Sequence, residues 1–171
     1  RRELDALRRS GAVALEHDTF RAQVEDLVAT RAPDRDLTKA ELEAGVATYL
    51  AGRGEEEAGR WVYFPWSRRL VHLLPPEDFR FLRTNRNHYK IRPDEQCTLQ
   101  TKRIAVAGLS VGMASVLTLA LEGVGGEFLL ADFDDLGLSN LNRLRASVCN
   151  LGVNKAVLAA RELAEIDPYL E

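Results

Sequence analysis

Cysteine is nearly missing from this sequence: its 171 residues include two, Cys97 and Cys149. Two cannot build a disulfide framework or a cysteine-rich zinc site, and a reducing cytoplasm is the expected setting. Methionine occurs once, at Met113, and the chain opens on Arg1, so a segment of a longer protein is expected. The three histidines, His17, His72 and His88, are too dispersed to suggest a metal site or a catalytic triad. No stretch approaches the roughly 18 uninterrupted apolar residues of a membrane span. Arg1 and Arg2 have no apolar segment behind them, which argues against a signal peptide. Positive charge is not in excess either. There are 23 Lys+Arg against 26 Asp+Glu, a net charge of -3, and no electrostatic reason to expect nucleic acid as a partner.

What is present is an ordinary globular mixture, 46% hydrophobic and 29% charged, long enough for one medium domain or two small ones. Residues 1–30 read as helical, with Asp18 placed to cap a helix whose apolar face is Phe20, Val24, Leu27 and Val28. Residues 32–36 read as a linker. Thr38 and Glu41 form a capping-box pattern that opens a second helix with Leu42, Val46, Tyr49 and Leu50 on one face. Glu55, Glu56 and Glu57 read as a solvated turn. Residues 61–64 and 70–74 are rich in β-forming side chains and, with the break at 65–68, suggest a hairpin whose aromatic residues build a small core. Pro76 suits the first turn of a short helix running to about Arg83. These elements make an N-terminal α+β module, residues 1–85.

Residues 86–171 have a different character. Ile104 to Gly108 is a short, almost wholly apolar run, expected to be a strand buried on both faces. A helix follows over 112–122 and stops at Gly123, Gly125 and Gly126. Glu127 to Asp132 reads as a second buried strand ending in a carboxylate, and a helix over 154–166 comes after a loop. A further strand is expected to open at the last residues. This order is the first half of an α/β, Rossmann-like, doubly wound parallel sheet.

The turn between the first strand and its helix carries Gly108, Ser110 and Gly112. A helix N-terminus presents free N–H groups and partial positive charge to a phosphate, and small residues permit close approach. Gly108 and Gly112 would equally serve tight helix–strand packing. Asp132 stands where an acid accepts hydrogen bonds from ribose hydroxyls. To this point NAD and ATP are both possible.

The stretch from Asp132 to Arg143 contains an Asp-x-Asp pair and Leu-Ser-Asn-Leu-x-Arg, and Gly152 to Lys155 follows it. This closely resembles the nucleotide-binding signature of ThiF/MoeB-type adenylyltransferases, which share their fold with ubiquitin-activating enzymes. The resemblance runs from about Arg83 to Pro168. It implies ATP as the bound nucleotide and Asp132 as the ribose acid. Asn140, Arg143 and Lys155 would lie on the phosphates, and Asp134 would support the loop. A planar Arg fork and a Lys point charge suit a triphosphate. Arg83-x-x-Arg86 resembles the family's entry segment. Arg86 would then reach the ATP phosphates of a partner subunit in a homodimer, on a mobile arm ahead of the first strand; the alternative is local pairing of Arg86 with Asp94 or Glu95. Gln96 and Leu99 also stand at the family's usual distances. The Mg²⁺ ligand is expected downstream of Glu171.

Departures are Ser110 and Met113 at glycine positions of the family turn, and Leu144 in place of a glutamine. The reaction implied is AMP transfer from ATP to a carboxylate, the C-terminus of a ubiquitin-like or sulfur-carrier protein. Two alternatives stand beside it: an NAD- or FAD-linked oxidoreductase, and a non-catalytic nucleotide-binding or dimerisation module.

Overall fold

The computed structural model describes residues 2–171 and begins with helix α1 (Arg2–Arg9), which ends before Gly11 at φ 73°. Strand β1 (Leu15–Asp18) comes next, so the helix expected across residues 1–30 is interrupted. Its cause is non-local: β1 pairs in parallel with β3 (Arg69–Leu73), from Leu15 opposite Arg69 to Asp18 opposite His72. Helix α2 (Phe20–Thr30) buries Phe20, Val24 and Leu27 on the expected face. Its cap position is Thr19 rather than Asp18, although Asp18 Oδ1 still accepts from the Phe20 N–H at 3.2 Å.

The capping box forms as its pattern predicts. Thr38 accepts from the Glu41 N–H, Glu41 accepts from the Thr38 N–H, and α3 (Lys39–Leu50) follows. The acidic run differs from expectation. It forms a single helical turn, α4 (Glu55–Ala58), in which Glu55 pairs with Arg21 at 3.2 Å and Glu56 with Arg8 at 2.9 Å. Such partly exposed pairs contribute about 0–1 kcal/mol each. Strands β2 (Arg60–Phe64) and β3 make the expected antiparallel hairpin, and α5 (Pro76–Thr84) opens on its proline. The sheet order is β1-β3-β2. Phe20, Val24, Leu27, Val46, Ala58 and Leu74 form the core of this first unit, which ends at Asn85. Its aromatic residues are structural: the fully buried His72 ring lies between Phe20 and Trp61, with centroids 4.4 and 4.3 Å away.

The second compact unit is Arg86–Glu171. After a 3-10 turn (Asn85–Tyr89) come α6 (Pro93–Gln100), β4 (Arg103–Ala107), α7 (Leu109–Leu121), β5 (Glu127–Ala131) and α8 (Lys155–Ile166). The segment ahead of β4 is therefore helical rather than an open arm. It is fastened to the end of α7: Asn87 donates to Gln96 Oε1 and the Glu122 carbonyl, and Gln96 donates to the Gly123 carbonyl.

Strands β4 and β5 are parallel, with Val106 opposite Leu130 and Ile104 opposite Phe128. Successive strand residues point to opposite faces. Val106, Phe128 and Leu130 pack on a core of Leu109, Met113, Val116, Leu158 and Leu163, so α7 and α8 cover this one face. Ala105, Ala107, Leu129 and Ala131 on the other face are exposed. The apolar runs are thus buried on one side here, not on both. No strand forms after α8 among the described residues, yet Glu171 makes two backbone bonds at the start of β5: its carbonyl accepts from Phe128 and its N–H donates to Gly126, the residue before the strand.

Candidate nucleotide site

Gly108, Ser110, Asp132 and Asp134, from the segments that follow β4 and β5, gather at the carboxyl ends of the two strands. Gly108 links β4 to α7 with φ 86°, a left-handed conformation that glycine adopts without the clash a Cβ would bring. The space beside it is open. Gly112, one turn on, has a different job: a Cβ there would stand 2.7 Å from Val106 Cγ1, so this glycine lets helix and strand touch.

Asp132 directly follows β5. One carboxylate oxygen accepts from the Leu109 N–H at 2.6 Å and the other from the Asp134 N–H at 2.9 Å. The bond from Leu109 is the main reason the carboxyl is held below the usual aspartate range. The Asp134 N–H and the Lys155 charge add to it, while partial burial opposes. The first N–H groups of a helix have no partner within it. Leu109 gives its own to Asp132, and Gly112 bonds back to Gly108, which leaves Ser110 and Val111 facing the opening. Gly108, Ser110, Val111, Asp132, Phe133 and Asp134 line that opening, a cavity of about 760 Å³. Phe133 is 94% exposed.

Lys155, the first residue of α8, is buried, with a side-chain exposure of 3%, and its Nζ lies 2.8 Å from Asp134 Oδ2. Arg143 is exposed. It donates to Asn142 Oδ1 at 2.9 Å and lines a neighbouring cavity of about 220 Å³ that shares Ser110 with the first. Asn140 is turned inward, its Oδ1 accepting from the Gly137 N–H, so in this conformation it shapes the loop. Leu144 is buried in the core. Arg86 is exposed and does not pair with Asp94 or Glu95, both of which are engaged by Arg92. The structure thus brings Gly108, Ser110, Asp132 and Asp134 to one opening, buries Lys155 against Asp134 without placing it in the lining, puts Arg143 in the adjoining cavity, and leaves Asn140, Gly112 and Arg86 outside.

Sequence reasoning passed over two contributors. The Leu109 N–H is a backbone group that no residue type announces. Asn154 was legible as a helix cap, being an Asn before an apolar periodic run.

For a metal the donor set is thin. Asp134 is committed to Lys155, and among the described residues no three His, Cys, Asp or Glu side chains cluster as ligands. Also among the described residues, no helix is long and apolar enough to cross a membrane.

A parallel α/β unit with a glycine turn, a helix N-terminus and an acid at the end of the second strand defines a nucleotide-binding class of protein. Residues 82–171 match the ThiF family, and the chain belongs to it. It is 50% identical over 115 residues to an uncharacterised protein of Mycobacterium tuberculosis, covering 67% of this chain and 16% of that one. It is 36% identical over 89 residues to the tRNA threonylcarbamoyladenosine dehydratase of Bacillus subtilis, covering 51% of this chain and 35% of the enzyme. Among solved structures it resembles the tRNA N6-threonylcarbamoyladenosine dehydratase TcdA of E. coli. That likeness has a TM-score of 0.51 at 27% identity and covers 53% of this chain and 38% of TcdA, which has been crystallised with ATP.

Proposed function

We propose that this chain supplies the nucleotide site of an ATP-dependent adenylyltransferase acting on a carboxylate. The observation that carries this reading is the meeting of the Gly108 turn, Asp132 and Lys155 at one end of the β4–β5 sheet. Family membership and the ATP complex of TcdA favour ATP over a dinucleotide.

A carboxylate offers about four lone-pair sites. Leu109 and Asp134 occupy two on Asp132, and the remaining two are available to ribose hydroxyls. The unpaired N–H groups of Ser110 and Val111 would receive a phosphate. Lys155 spends one of its three donors on Asp134 and would turn the others to the phosphates, while Arg143 approaches from the adjoining cavity. In the reaction a carboxylate oxygen bonds to the α-phosphorus as the bond to the bridging oxygen breaks. Pyrophosphate departs with the electron pair and an acyl-adenylate remains. The protein's part is alignment and neutralisation of charge. The residues here do not by themselves supply a Mg²⁺ site, and no step is assigned to one.

The acceptor we propose is the C-terminus of a ubiquitin-like or sulfur-carrier protein, the carboxylate that the resemblance to ThiF/MoeB-type adenylyltransferases implies. Arg86 is proposed to act on a partner subunit. Its neighbour Asn87 is bonded to the Glu122 carbonyl, at the far end of α7 from Gly108. At 1.5 Å per residue, α7 separates these ends by about 20 Å, beyond the reach of an arginine side chain within one chain.

The test is exchange of labelled pyrophosphate into ATP by the intact protein with its acceptor. Lys155→Ala and Arg143→Ala should each lower the rate by about 10²–10³ while the protein stays folded. Exchange at the wild-type rate in both variants would overturn the assignment. For Arg86, heterodimers of Arg86→Ala with Lys155→Ala should regain one complete site; heterodimers that form yet stay inactive would refute action in trans.

A further inference from the structure

We infer that Asn154 is a positioning residue for the nucleotide: its amide fixes the ribose-directed Asp132 and the phosphate-directed Lys155 in one relative geometry. This rests on the nucleotide reading given above. Asn154 Oδ1 accepts from the N–H groups of Ala156 at 2.9 Å and Val157 at 3.4 Å, which is an N-cap for α8. Its Nδ2 donates to the carbonyls of Asp132 at 3.2 Å and Asp134 at 3.3 Å. All four hydrogen-bonding capacities of one side chain are in use, two on each of the segments that build the site.

The two halves of this arrangement have separate physical meanings. Capping asks only for a side-chain oxygen, and Ser, Thr or Asp provides one nearly as well. The Nδ2 half has no capping purpose. It binds the two carbonyls that bracket Phe133, in the loop that presents both carboxylates. The backbone bond from the Lys155 N–H to the Asp134 carbonyl at 2.9 Å runs alongside and brings the start of α8 against the same loop. Serine lacks the donors and the reach. Aspartate would set a carboxylate against two carbonyl oxygens. Only asparagine combines the cap with the tie in one planar head.

The consequence is a separation of stability from nucleotide affinity. Asn154→Ser keeps the cap and removes the tie, and Asn154→Asp keeps the cap and opposes the tie. In the intact protein both should melt within a few degrees of wild type. Losing the tie that orders the site should raise the Kd for ATP about tenfold, about 1.4 kcal/mol. In pyrophosphate exchange the change should appear in KM for ATP, with kcat within about threefold. Asn154→Ala should lower both the melting temperature and the affinity. Lys155→Ala is the parallel control. If it weakens ATP binding while both cap-retaining variants bind like wild type, the role of Asn154 is overturned and the site stands. If Lys155→Ala also binds ATP unchanged, the nucleotide reading itself fails.

Discussion

In the unit ending at Asn85 the charged groups close on one another: Arg8 on Glu16 and Glu56, Arg21 on Glu55, and Glu41 on Thr38 and Arg35. In Arg86–Glu171 the polar groups Asp132, Asp134, Asn154 and Lys155 instead converge on one end of a two-stranded sheet, where backbone N–H groups remain free. The first pattern describes a module whose charged side chains pair with one another. The second describes a frame in which some hydrogen-bonding capacity is left for a ligand. The difference shows also in the sheets. In the first unit, buried Leu70 and His72 hold β3 to the interior, whereas the second leaves Ala105, Ala107, Leu129 and Ala131 bare. Structure and site are separable by mutation if this contrast is right.

The largest expected effect lies in the first core. Leu27→Ala removes a fully buried side chain and should cost about 2–5 kcal/mol, read as a lower denaturant midpoint. Protein that remains folded should bind ATP with unchanged Kd; a large loss of affinity there would break the contrast. Next comes Gly112→Ala. The new methyl meets Val106 Cγ1 at 2.7 Å, and relieving that overlap should cost about 1–3 kcal/mol of stability. Gly108→Ala meets no atom but is strained at φ 86°, by roughly 1–2 kcal/mol, and should act on nucleotide affinity as well.

The smallest effects are those of pH, and they sharpen the contrast because each unit has its own acid. Glu41 is lowered from an ordinary 4.5 to about 2, first by the Thr38 N–H and then by Arg35. Asp132 is lowered chiefly by the Leu109 N–H. A carboxyl whose folded pKa is depressed contributes its full stability above the unfolded value and loses it as pH falls through the folded one. The capping box should therefore weaken between about pH 4.5 and 2. The α7 terminus should weaken below the ordinary aspartate range, and Asp132→Asn should remove that second component alone. Acid titrations of both proteins by circular dichroism check this, and identical curves would contradict it.

Much of this was legible in the sequence, for local reasons. The Thr38–Glu41 box, the proline at the start of α5, the hairpin and the parallel strands all rest on patterns a few residues long. Strand β1 was not legible, because its partner residues on β3 are more than 50 positions away and Leu15–Asp18 has no alternating pattern. Helix α6 was hidden behind Pro93, a breaker in most positions but acceptable in a first turn. The glycine turn and Asp132 could be placed at the strand ends from sequence. The burial of Lys155 and the inward bond of Asn140 could not, since both depend on how the 132–154 loop folds back on α8.

Calorimetric titration of the intact protein with ATP, repeated with excess NAD present, tests the central claim most directly. The account predicts that ATP binds, that NAD leaves its Kd unchanged, and that Lys155→Ala weakens binding by at least tenfold, about 1.4 kcal/mol. Displacement of ATP by NAD, or wild-type affinity in Lys155→Ala, would contradict it.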